Sequence, residues 1–216
     1  MPVLPAASGE LEPLAADAVV LAMLGFLPIE LRREPPIRWA YAHFARVTDM
    51  AIREYESARE QFEVWDPAQA QKIGDVPDSD RQRAVAGVMQ GLLIGDGHLE
   101  TCVEALHRAL VALKLLQSKG VGRGVDMPNA DAANRLRDIR DAVQHAGDRL
   151  IGRLNPGRRA FDVENLDPYT LSPREHDFFI GSEKPVTYRE LVDLMETCHR
   201  AVDRIGRTGA GNAPDS

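Results

Sequence analysis

Apolar residues recur every three or four positions along four stretches of the chain, the spacing that gives an α-helix one buried face. In the first, about residues 36–62, they fall at Ile37, Ala40, Tyr41, Phe44, Val47, Ala51, Tyr55, Ala58 and Phe62, and Pro36 suits the opening turn. The second, about 80–118, carries a stripe of Leu99, Val103, Leu106, Leu110, Leu113 and Leu116. The Gly-Asp-Gly at 95–97 is read as a break within that helix. The third, about 129–154, places Ala132, Leu136, Ile139, Val143, Ala146 and Leu150 in heptad-like steps. The fourth opens with Thr187 and Glu190 at the spacing of a capping box and continues through Leu191, Leu194, Met195, Cys198, Val202 and Ile205.

Turn-forming residues punctuate these stretches. DPAQAQKIGDVPDSD separates the first two helices, and the glycine-rich KGVGRGVDMP stops the second. The pattern predicts an all-α fold: an antiparallel four-helix bundle over residues 36–206. Ahead of it, residues 1–35 form an extension with a short helix at about 11–25 and a proline-broken connection, FLPIELRREPP. Residues 155–186 read as a long irregular loop in which PYTL and DFFIGS are the arms of a small hairpin. Residues 207–216 read as a disordered tail. No strand–helix alternation points to a parallel sheet.

Composition narrows the class. The chain has 216 residues, 44% hydrophobic and 27% charged, ordinary values for a globular protein. Its net charge of −7 argues against a general nucleic-acid glove, so any RNA contact needs a local basic patch. The run LAADAVVLAMLGFLP is too short to span a bilayer and is interrupted by Asp17, and no basic segment precedes it as in a signal peptide. A cytoplasmic protein without membrane association is expected. Cys102 and Cys198, the only cysteines, sit among apolar helical positions and read as free buried thiols.

Three features compete as sites of chemistry. Gly87, Gly91 and Gly95 share a helical face, but they lack the lysine and hydroxyl of a phosphate-binding loop and read as points of close helix approach. His98, Glu100, Glu104 and His107 lie on the second helix, and Glu104/His107 and Glu196/His199 each have the Glu-x-x-His spacing of bundle metal sites. The carboxylates that two further helices would supply are not evident on the inner stripes. These residues are therefore read as exposed polar groups, and no metal or cofactor is expected.

The third feature is Arg140-Asp-Ala-Val-Gln-His145, an arginine followed after four residues by a histidine, on the third helix. The same spacing occurs at Arg38 and His43 on the first helix, where Trp39 follows the arginine. A polar residue after the arginine and a place on a late helix favour the Arg140 copy. With the bundle around it, this motif resembles the HEPN superfamily, antiparallel helical bundles that include metal-independent ribonucleases. Taking Leu136 as origin and about 100° per residue, Arg140 falls near 40°, Asp141 near 140° and His145 near 180°. The apolar stripe centres near 320° on that scale, so the motif is placed largely opposite the core.

The resemblance implies an endoribonuclease, such as a toxin or phage-defence effector, whose site is completed by a second subunit of a homodimer. A cognate antitoxin or regulatory protein would be a further partner. Catalysis would fall to Arg140, Asp141 and His145: the imidazole as acid or base, the guanidinium on the phosphate oxygens, the carboxylate orienting either. Arg149, Arg153, Arg158 and Arg159, four arginines with no acid between residues 149 and 159, would bind the RNA backbone. The alternative is a non-catalytic HEPN-like interaction or regulatory protein. The acidic chain favours it, as does Gly147 at a position that is often aromatic in active HEPN toxins.

Overall fold

The computed structural model describes residues 35–64, 77–122, 124–144, 177–178 and 186–208. Among them the chain is all-α apart from one short strand pair. The helices are α1 (Pro35–Val64), α2 (Asp78–Ser118), α3 (Ala130–Gln144) and α4 (Tyr188–Thr208). The expected helix at 11–25, the last part of the third helix and most of the 155–186 loop lie outside the described residues.

Local chemistry sets the helix ends. At the C-terminus of α2, Gly120 adopts φ 78° and donates to the Gln117 carbonyl at 2.9 Å, while Val121 donates to the Leu116 carbonyl at 3.0 Å. This is a Schellman closure, and its left-handed residue favours glycine. The Asn129 side chain caps α3, accepting from the backbone N–H groups of Asp131 and Ala132. Thr187 and Glu190 form the expected capping box on α4. The Glu190 N–H donates to Thr187 Oγ1 at 3.1 Å and the Thr187 N–H donates to Glu190 Oε2 at 3.0 Å.

Cross-helix contacts give the helix directions. Glu54 meets His98, and Phe62 approaches Gly95, so α1 and α2 are antiparallel. Glu104 meets Arg140 across α2 and α3. Tyr41 donates its hydroxyl to the Val202 carbonyl at 3.0 Å, and Arg135 forks onto Glu190, which joins α4 to α1 and α3. The core runs between all four helices, with Phe44, Tyr55, Leu106, Leu113, Leu136, Leu191 and Met195 fully enclosed. Cys102 and Cys198 are both buried and free, and burial pushes the Cys198 thiol up to about 12.

Three expectations change. Helix α2 runs unbroken through Gly95-Asp96-Gly97, because each of these residues keeps helical hydrogen bonding. Gly95 is where the close approach occurs: a Cβ there would lie 2.8 Å from the Phe62 ring, whereas Gly87 and Gly91 have open space around them. The strand pair joins β1 (Asp177–Phe178) to β2 (Val186–Thr187), antiparallel, with Phe178 opposite Val186. DFFIGS thus supplies one arm, but its partner is the segment leading into α4, and PYTL lies outside the described residues.

Candidate functional site

Helix α3 turns Leu136 and Ile139 into the core and carries Arg140 on the adjoining flank. That flank meets Glu104 of α2. Arg140 Nε donates to Glu104 Oε2 at 2.7 Å, and its Nη1 donates to Asp141 Oδ1 at 2.9 Å. The other Glu104 oxygen accepts from Arg108 Nε at 2.8 Å. One carboxylate therefore joins two guanidinium groups. The hydrogen bond from Arg140 holds the Glu104 carboxyl below its usual range, against the opposing effect of burial. The same contact raises Arg140.

His107 stands one turn beyond Glu104 and is half-buried. Burial lowers its pKa, and the positive charge of Arg140 lowers it further, with smaller opposing effects from Glu104 and Asp141. An open groove of about 430 Å³ runs beside this cluster, lined by Val47 and Met50 of α1, by Glu100, Thr101, Glu104 and Arg108 of α2, and by Arg140 and Gln144 of α3.

These positions revise the sequence reading. Arg140 is not opposite the core: only 23% of its side chain is exposed, and it ties α3 to α2. At about 40° from Leu136 the arginine lies near the edge of the apolar stripe, where a long side chain reaches the neighbouring helix. Asp141 is more open and holds Arg140 from the same helix. His145, Arg149, Arg153, Arg158 and Arg159 lie outside the described residues. Glu104 and His98 are not free polar groups, since His98 Nδ1 lies 2.6 Å from Glu54 Oε2. Among the described residues, no group of three His, Cys, Asp or Glu side chains is placed to hold a metal.

Two residues acquire a role that sequence reasoning missed. Glu104 is the residue that positions Arg140, and its one visible signal was the i,i+4 spacing to Arg108. His43, from the discarded copy of the motif, lies close to Arg108 as well as Arg46. Burial first, then those two positive charges, lower its pKa.

Comparison of the chain with protein-family models, with curated proteins and with solved structures finds no match in any of the three. No helix among the described residues is long and apolar enough to cross a membrane. The functional reading therefore rests on the residues themselves.

Proposed function

We propose that this chain is a HEPN-like, metal-independent endoribonuclease that works as a homodimer. The observation that supports it is the fixed guanidinium of Arg140 on the wall of an open groove, in the helix that also leads to His145. Its Nη2 has no hydrogen-bond partner among the described residues. A guanidinium already oriented by carboxylates loses little freedom when it meets a phosphate.

In this reading the RNA 2′-OH attacks its own phosphorus, and the P–O5′ bond breaks. The products are a 2′,3′-cyclic phosphate and a free 5′-OH. His145 exchanges the proton with the attacking or departing oxygen, Arg140 stabilises the added charge on the phosphoryl oxygens, and Asp141 holds Arg140 in place. Arg149, Arg153, Arg158 and Arg159 bind the flanking backbone, and a second subunit completes the site.

The test is cleavage of a mixed RNA pool in EDTA, with product ends mapped. Wild type should release cyclic-phosphate ends, and His145→Ala should not. Equal activity in the two proteins removes His145 from the mechanism.

One observation favours a second reading. Both Nε and Nη1 of Arg140 are occupied by carboxylates, so the motif arginine could serve the bundle alone. The chain would then be a non-catalytic HEPN-like interaction module. Turnover of RNA at sub-stoichiometric enzyme, lost in His145→Ala, rules that reading out.

A further inference from the structure

Helix α1 shows solvent a face unlike the rest of this acidic chain. From residue 36 to residue 53 its exposed positions are Pro36, Trp39, His43, Arg46, Met50 and Arg53, with no acid among them. Two nearby acids are held by arginines, while Glu100 lines the adjoining groove. Asp49 is 16% exposed behind Arg53, and Glu104 is 27% exposed between Arg108 and Arg140. Trp39 is 65% exposed, an indole largely bare of protein contact. Next along the face, Arg46 Nη2 lies 3.5 Å from His43 Nδ1, and Arg108 of α2 is near enough to depress the same imidazole. Two guanidinium groups thus stand around one imidazole, and among the described residues no carboxylate pairs with Arg46. Two guanidinium groups near one surface are a place where anions gather.

The face is continuous with the groove beside Arg140, because Met50 belongs to both. From Trp39 to Met50 the helix rises roughly 16 Å. A flat aromatic surface followed by closely spaced cations is what single-stranded nucleic acid binds: bases stack on the ring and phosphates meet the guanidinium groups. A duplex hides its bases from such a ring.

We propose that the exposed face of α1 is a docking track for single-stranded RNA, with one base stacked on Trp39 and phosphates held by Arg46 and Arg108. The track leads the strand into the Arg140 groove. It rests on the ribonuclease reading for its substrate and adds where the strand lies and which form of RNA is taken.

The chain has two tryptophans, and Trp65→Phe leaves Trp39 as sole reporter. In a Trp65→Phe/His145→Ala protein, binding is read without cleavage. Titration with a uridine dodecamer should quench the Trp39 emission, and a duplex of equal length should not. Trp39→Ala should weaken binding roughly ten-fold or more, as loss of a stacked base does, with an unchanged melting temperature because the ring is exposed. Arg46→Gln should reduce the slope of log affinity against log salt by about 0.7, one phosphate contact on a single strand.

Absence of quenching, or equal affinity in Trp39→Ala, overturns the track. So does emission that changes with protein concentration alone, which would assign the face to a second copy of this chain. Cleavage of RNA by wild type with no Trp39-dependent binding overturns the track and keeps the nuclease. Trp39-dependent binding with no wild-type cleavage keeps the track and removes the nuclease.

Discussion

The contact between Glu104 and Arg140 joins α2 to α3 and is open to a direct energetic test. Glu104→Ala, Arg140→Ala and the double variant form a thermodynamic cycle. Fully exposed ion pairs couple by about 0.2–1 kcal/mol, and hydrogen bonds to charged groups contribute about 1.5–3 kcal/mol. The side chains here are 27% and 23% exposed, with an N···O distance of 2.7 Å. An intermediate coupling of about 1–1.5 kcal/mol is expected after allowing for solvent screening. For a chain of this size that corresponds to a melting shift of about 2–5 °C. The pH dependence has a definite sign. The folded-state pKa of Glu104 lies below its ordinary 4.5, so its contribution is whole above that value. It is lost as pH falls from there through the lowered folded value. Urea unfolding of the four proteins at pH 7, repeated toward pH 4, measures both effects. A coupling under about 0.3 kcal/mol at pH 7 would place the pair among exposed ion pairs of no consequence and refute the positioning role of Glu104.

Three other expectations follow from burial and packing. Ile139→Asp puts a carboxylate at a site that is 1% exposed, and should cost more than about 3 kcal/mol, seen as loss of the cooperative melt. Gly87→Ala should stabilise α2 by about 0.5–1 kcal/mol, whereas Gly95→Ala should destabilise it, because its Cβ would meet the Phe62 ring. Equal effects at the two glycines in thermal melts would contradict the α1–α2 approach at Gly95. Asp96, with its carboxyl raised to about 6 by burial and then by Glu100, loses stability as pH rises from 3.8 through that value. Asp96→Asn should therefore melt higher than wild type at pH 7, and the gap should close toward pH 4.

The helices were legible because each carries its own pattern. The stripe on α4, from Leu191 to Ile205, is buried at every position named from sequence, and its Thr187–Glu190 cap forms as spaced. Both cysteines are buried as expected. The Gly-Asp-Gly in α2 misled for a physical reason. Glycine lowers helix propensity by only about 1 kcal/mol per residue, and packing of the surrounding turns outweighs that. The strand pair misled differently. Two-residue strands have too short a pattern to name their partner, and the pairing of β1 with the segment next to α4 was not legible.

Sequence by itself determined what local spacing can encode: which residues form helices, which faces are apolar, and where caps and stops lie. Tertiary structure decided which elements face one another. Glu104 and Arg140 are 36 residues apart, and no periodicity within either helix predicts their 2.7 Å contact. The same holds for His43 beside Arg108. Side-chain pairs across a helix interface depend on the register and rotation of two packed helices. Those are settled by the sum of all core contacts, a quantity that no single stretch of sequence contains.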